Sequence, residues 1–115
     1  MVNHLPICNQ DTPYELNEGI LTINYEKSDW YLISSKIYQK QMLIYSNSLI
    51  YYLRDDIKGI HIITKDKEYQ TTREEYTNNF EDYNKIKDNN SFKEYVTYKL
   101  KDEEFIDKQY KLLLN

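Results

Sequence analysis

An alternation of apolar and polar residues runs through the first two thirds of the chain and predicts β-strands over residues 19–71. In residues 20–25 every second side chain is apolar, which gives a strand one apolar and one polar face. The other predicted strands are residues 30–33, 42–45, 49–53, 60–64 and 68–71. The turns predicted between them are residues 26–28, 46–48, 55–59 and 65–67. A helix over residues 29–45 is the alternative, but the β-branched and aromatic side chains there favour strands.

The C-terminal third changes to helical spacing. Thr72 and Glu75 form a capping-box pattern that predicts a helix over residues 73–87, with Tyr76, Phe80 and Tyr83 as its buried stripe. A further helix is predicted after the capping residue Asp102, with a stripe of Ile106, Tyr110 and Leu113. For residues 92–100 two interpretations stay open. Ser91 and Glu94 form a second capping-box pattern, whereas residues 95–100 alternate like a strand.

These elements predict an α+β fold. Residues 19–71 would form an antiparallel sheet of about five or six strands, and two or three C-terminal helices would pack on one face of it. The length suits a single domain over residues 1–115, and Pro6 and Pro13 favour an irregular N-terminal arm over residues 1–18.

Tyrosine is in excess, with 13 Tyr against 3 Phe. This ratio predicts either a thin core that is partly accessible to water or a tyrosine-bearing surface of the kind that binds proteins. Tyr31, Tyr38, Tyr45 and Tyr52 fall seven residues apart. The second apolar position of a heptad does not recur, so we assign this spacing no structural meaning.

Composition points to a source rather than to a mechanism. The chain has no alanine and few glycines, prolines and arginines, but many Lys, Asn, Ile and Tyr residues, which is typical of an AT-rich genome. A low-GC bacterium, or a phage or mobile element living in one, fits this bias. Cys8 is the single cysteine, and neither a signal peptide nor a membrane-spanning apolar run is visible, so we expect a cytoplasmic protein.

The residues of known catalytic and cofactor sites do not form a pattern here. Two glycines, Gly19 and Gly59, cannot build a phosphate-binding loop. Cys8, His4 and His61 lack the spacing of a metal site or of a nucleophile with its base. We therefore predict no catalytic, metal or cofactor-binding residues and a protein that is not an enzyme, although an uncharacterised enzyme stays the third alternative.

One segment resembles a known family. Residues 48–80, SLIYYLRDDIKGIHIITKDKEYQTTREEYTNNF, resemble the middle of a LytTR DNA-binding domain, in which a strand, a turn, a hairpin and a short helix follow in this order. The resemblance implies a following strand that contacts DNA through basic residues, here residues 92–100 with Lys93 and Lys99. A small nucleic-acid-binding regulator is therefore the runner-up. The net charge of −4 makes direct nucleic-acid binding the weaker hypothesis.

The leading hypothesis is a small acidic protein-binding module. On the predicted helix over 73–87, Glu74 and Glu81 would share one outer ridge, and Glu75 and Asp82 another. Such ridges could cover a basic surface of a partner, as a phage or mobile-element inhibitor of the anti-CRISPR or other anti-defence type would do. The predicted partner-binding residues are Glu74, Glu75, Glu81, Asp82, Asp102, Glu103 and Glu104.

Overall fold

The computed structural model describes residues 14–25, 36–64 and 67–114. Its strands are β1 (Tyr14–Asn17), β2 (Ile20–Asn24), β3 (Gly59–Ile63) and β4 (Glu68–Thr72). Its α-helices are α1 (Lys36–Leu53), α2 (Arg73–Asn79), α3 (Asn89–Phe92) and α4 (Glu103–Leu113). Short helical turns are Tyr83–Lys85 (3₁₀), Lys93–Thr97 (π) and Lys99–Lys101 (3₁₀). The predicted turn at 26–28, the predicted strand at 30–33, His4, Cys8 and residues 65–66 lie outside the described residues.

The α+β class is confirmed, but the sheet differs from the predicted one. Its described strands lie in the order β1-β2-β3-β4, with antiparallel outer pairs and a parallel central pair, β2 with β3. The prediction of five or six antiparallel strands is therefore wrong. Parallel neighbours need a crossover connection, and α1 lies in the connection from β2 to β3.

Helix α1 occupies the stretch where two strands and a turn were predicted, at 42–45, 49–53 and 46–48. Ser46, Asn47 and Ser48 are turn-forming residues, yet all three are buried within the helix. The side chain of Asn47 donates to the Leu43 carbonyl oxygen at 2.8 Å and accepts from the Thr71 hydroxyl at 2.9 Å. A helix is normally predicted from apolar residues on its buried face and polar residues on its exposed face. Because these polar side chains lie on the buried face of α1, the sequence does not show that pattern. The alternative helix was thus correct for residues 36–45.

The seven-residue tyrosine spacing has a structural meaning after all. Two turns of α-helix take about seven residues, so tyrosines at this spacing form one stripe along α1. The rings of Tyr45 and Tyr52 pack on Phe92, at centroid distances of 6.0 and 5.2 Å. Tyr45 and Tyr52 of this stripe therefore join α1 to α3, whereas Tyr31 lies outside the described residues.

The N-terminal arm is not irregular in its described part. Residues 14–17 form β1, which pairs with β2 through the two-residue turn of Glu18 and Gly19. Both turn residues have positive φ, 54° and 84°. Positive φ at both central positions matches the twist of a tight hairpin and favours glycine at the second.

The hairpin of β3 and β4 and the start of α2 follow the sequence prediction. Thr72 caps α2 by accepting from the Glu75 backbone N–H at 3.3 Å. The helix ends at Asn79 instead of 87, because Phe80 takes an extended conformation and Asp82 a left-handed one. Tyr76 and Phe80 are nevertheless buried as predicted, and Tyr83 packs at the edge of the core.

Residues 89–101 are helical, so the strand interpretation of 95–100 is wrong. Phe92, Val96 and Leu100 are buried and follow at four-residue spacing, which is the helical repeat. Asp88, rather than Ser91, is the capping residue, and its carboxylate accepts from the Ser91 backbone N–H at 2.8 Å. The last helix is confirmed, because Asp102 caps α4 by accepting from the Glu104 N–H at 3.0 Å.

The described helices pack on the face of the sheet that carries Leu21, Ile23 and Ile60. Arg73 ties the end of α1 to the start of α2. Its guanidinium donates to the carbonyl oxygens of Ile57 at 2.7 Å, Tyr51 at 2.9 Å and Arg54. An arginine that satisfies several main-chain acceptors in this way is a structural residue rather than a free surface charge.

Tyrosine hydroxyls satisfy the polar groups inside the core. Tyr76 and Ser48 share a hydrogen bond of 2.7 Å, and Tyr76 also donates to the Ile44 carbonyl oxygen at 3.0 Å. Tyr51 and Thr71 share another of 2.7 Å. Part of the tyrosine excess therefore belongs to a core that contains a polar network, as the first of the two composition-based alternatives predicted.

Alkaline pH is expected to destabilise the fold through these tyrosines. Burial raises the pKa of Tyr51 to about 12 and raises the pKa of Tyr76 and Tyr83 well above the ordinary value. Because the folded pKa exceeds the unfolded pKa, the stabilisation is complete below about pH 10 and is lost as the pH rises through about 12. Urea unfolding at rising pH measures this, and Tyr51→Phe should make the decline shallower. An unfolding free energy that stays constant up to about pH 12 would contradict the assignment.

Candidate functional site

The predicted acidic ridge on one helix does not exist in the structure. Glu74 and Glu75 are exposed in the first turn of α2, but Glu81 and Asp82 lie beyond the end of that helix. The Glu81 carboxylate pairs with Lys108 at 3.2 Å, and the Asp82 carboxylate pairs with Lys85 at 3.3 Å. The four carboxylates therefore do not lie along one helix, and two of them already have cationic partners.

The second predicted cluster lies at the start of α4. Asp102 caps the helix, and Glu103 and Glu104 are exposed in its first turn. Carboxylates at this end of a helix interact favourably with its dipole. The start of α2 borders a small cavity with Leu112 and Leu113, near the other end of α4. The acidic start of α2 therefore lies near the C-terminal end of α4, and the second cluster lies at its N-terminal end.

A groove adjoins the second cluster and was not predicted from the sequence. It lies between the first turns of α1 and the 3₁₀ turn that precedes α4, with a volume of about 360 Å³. The residues that line it are Ile37, Tyr38, Gln41, Leu100, Lys101, Glu103 and Ile106. We call this surface the tyrosine groove. The Gln41 side-chain amide donates to the Leu100 carbonyl oxygen at 2.7 Å and joins its two walls.

Two exposed tyrosines belong to this region. Tyr38 lines the groove and is 43% exposed, and Tyr98, which precedes the 3₁₀ turn, is 57% exposed. The Lys101 ammonium lies 5.3 Å from the centroid of the Tyr98 ring. Exposed tyrosines beside a groove provide contact area at low conformational cost, so this arrangement suits protein binding better than chemistry on a small substrate.

A second concavity lies on the other side of the start of α1. It has a volume of about 260 Å³ and is lined by Lys36, Gln39, Lys40, Leu43, Thr64, Lys67, Tyr69 and Tyr110. We call it the lysine–tyrosine pocket. Lys36 and Lys40 are one helical turn apart, which places both ammonium groups on the same side of α1. The strand interpretation of this stretch concealed that proximity.

In the described part of the chain, no group of three or more His, Cys, Asp or Glu side chains is placed to hold a metal ion. His61 instead pairs with Glu68, at 2.8 Å between ring nitrogen and carboxylate oxygen. Within the described ranges, no helix combines the length and the apolar character that a membrane span requires.

Comparison with protein families, curated proteins and solved structures finds no significant match to this chain. The local order implied by the LytTR resemblance holds for the hairpin and the short helix α2. It fails on both sides of them, because residues 48–53 belong to α1 and residues 92–100 are helical. The basic strand that the resemblance implies as the DNA contact is therefore a series of helical turns.

Proposed function

We propose that this chain is a non-enzymatic protein-binding module whose contact surface is the tyrosine groove. The observation that carries the proposal is the exposure of Tyr38, which lines the groove, and of Tyr98, which lies beside the lining residue Lys101, next to the acidic start of α4. Buried aromatic anchors surrounded by polar residues are the usual arrangement of a protein interface.

The charge around the groove supports a partner with a basic surface. Residues 99–104 carry three carboxylates, at positions 102–104, against the two lysines Lys99 and Lys101. Glu103 lines the groove, and Asp102 and Glu104 are its neighbours in the chain. Charge at the edge of a contact surface mainly steers the approach of a partner and sets the salt dependence of association. Tyr38 lines the groove as well, and Tyr98 lies next to the lining residue Lys101. Aromatic contacts that lose their water on binding determine the rate of dissociation.

The role that fits such a module is stoichiometric inhibition by covering a surface. The composition suggests a phage or mobile-element source, and the proposed partner is then a host or defence protein in the host cytoplasm, as for an anti-CRISPR or other anti-defence inhibitor. This part of the proposal rests on size, composition and net charge, which are associations rather than site geometry.

Capture from a lysate of the source cell tests the class of partner. Tagged protein is incubated with nuclease-treated and untreated lysate, and retained proteins and nucleic acids are identified. The proposal expects one protein to be retained in equal amounts in both arms and in simple stoichiometry. Retention that disappears after nuclease treatment would instead support the nucleic-acid-binding alternative.

Charge reversal at the start of α4 is expected to slow association with that protein. Glu103→Lys with Glu104→Lys removes two of the carboxylates there, so the association rate should fall and its dependence on ionic strength should weaken. Stopped-flow or surface-based kinetics measure both quantities. Glu74→Lys with Glu75→Lys is the matched control, since it changes the same charge in the first turn of another helix. If the control pair has the larger effect, the partner binds at α2 instead.

A further inference from the structure

The lysine–tyrosine pocket gathers positive charge in a protein of net charge −4. Three of its lining residues are lysines, and none of the described residues that line it is acidic. Lys40 is partly neutralised by Asp107 of α4, whose carboxylate pairs with it at 3.1 Å. Among the described residues, one paired carboxylate against three ammonium groups leaves a local excess of positive charge.

Two of the three ammonium groups, those of Lys40 and Lys67, lie over aromatic rings. The Lys40 nitrogen lies 4.9 Å from the centroid of the Tyr110 ring, and the Lys67 nitrogen lies 5.1 Å from that of Tyr69. Lys67 is also 5.8 Å from the centroid of the Tyr110 ring, so this ring contacts both cations. Cation–π contacts place ammonium groups without neutralising their charge.

Two tyrosine hydroxyls also belong to the residues that line the pocket. The Tyr110 hydroxyl donates to that of Tyr69 at 3.5 Å, whereas the Thr64 hydroxyl is already occupied, since it donates to the Lys67 carbonyl oxygen at 2.6 Å. Lys36 and Lys40 also belong to the first two turns of α1, where the helix dipole adds positive potential. Ammonium groups, hydroxyls and a positive helix end together favour a compact anion with several acceptor oxygens.

We propose that the lysine–tyrosine pocket binds the phosphate group of a small phosphate-bearing molecule or inorganic phosphate itself. A phosphate group carries nearly two negative charges and several acceptor oxygens, which matches three lysines better than a single carboxylate would. The volume of about 260 Å³ suits such a group rather than a large cofactor, since pockets for drug-sized ligands begin near 300 Å³. This site is separate from the tyrosine groove, so it does not depend on the proposed protein-binding function.

Calorimetric titration at constant ionic strength, set with chloride, tests the site. The probes are inorganic phosphate, phenyl phosphate, sulfate and a single-stranded oligonucleotide. Wild-type protein should bind phosphate or phenyl phosphate saturably at one site and more tightly than sulfate. Tighter binding of phenyl phosphate identifies the monoester as the preferred form, whereas equal or tighter binding of inorganic phosphate identifies the free ion.

The variant Lys36→Gln with Lys67→Gln should weaken phosphate binding by about tenfold or more, because it removes two charged donors. Lys36→Arg with Lys67→Arg keeps both charges and should retain most of the affinity. The matched control is Lys87→Gln with Lys111→Gln, which lowers the net charge equally at exposed lysines outside the pocket lining. Circular dichroism establishes that each variant is folded.

Three results would overturn the proposal. The first is the lack of saturable phosphate binding in the wild type. The second is an equal loss of affinity in the control variant, which would show a general charge effect. The third is oligonucleotide binding that is tighter than phosphate binding, has a steep salt dependence and requires the same lysines, since that would make the pocket part of a nucleic-acid surface.

Discussion

Replacing Phe80 by alanine is expected to lower the free energy of unfolding by about 3–5 kcal/mol. Phe80 is 3% exposed, and its ring contacts those of Tyr76, Tyr83 and Phe105 at centroid distances of 5.7, 5.6 and 5.9 Å. It therefore links α2 and the following 3₁₀ turn to α4. Removing the Phe80 ring leaves a cavity between α2, the 3₁₀ turn and α4. The surrounding side chains can only partly fill this cavity, so the lost ring contacts are not restored.

Urea unfolding monitored by circular dichroism measures this loss. Phe80→Leu is the graded variant, and it should cost less because it keeps much of the apolar volume. Leu112→Ala is the control, since Leu112 is 54% exposed and should contribute little. A loss below about 1 kcal/mol for Phe80→Ala would mean that this ring does not hold α2 against α4.

Local signals in the sequence predicted where α2 and α4 begin. The capping patterns at Thr72 and Asp102 are short-range hydrogen bonds between a side chain and the backbone a few residues later, so they are encoded locally. The end of α2 was not predictable in the same way. It depends on Phe80 leaving the helix to pack on Phe105, which is a contact between distant parts of the chain.

The main error concerned α1, and its cause is tertiary. The sequence predicted a turn at Ser46, Asn47 and Ser48, because these residue types favour turns when their polar groups face water. Inside the fold, Thr71 and Tyr76 provide hydrogen-bond partners for this segment, so it can remain helical and buried. These hydrogen-bond partners belong to β4 and α2, which are distant in the chain, so no local sequence pattern could indicate them.

The same error concealed both concave surfaces. On a strand, Lys36 and Tyr38 would share a face with Lys40, whereas on a helix the lysines and the tyrosine point in different directions. The four-residue spacing of Lys36 and Lys40 was the available signal for the pocket. The tyrosine groove additionally requires residues 100–103 to lie beside α1, which no spacing in the sequence specifies.

The most direct test of the proposed function is the affinity of the captured partner for the variant Tyr38→Ser with Tyr98→Ser. Both residues are exposed, so the fold should survive, and the control is Tyr14→Ser with Leu112→Ser at exposed positions outside the groove. The dissociation constant of the groove variant should rise by at least about thirtyfold, mainly through faster dissociation, because a single anchoring residue contributes about 2 kcal/mol. An unchanged dissociation constant in the groove variant would contradict the assignment of the tyrosine groove as the binding surface.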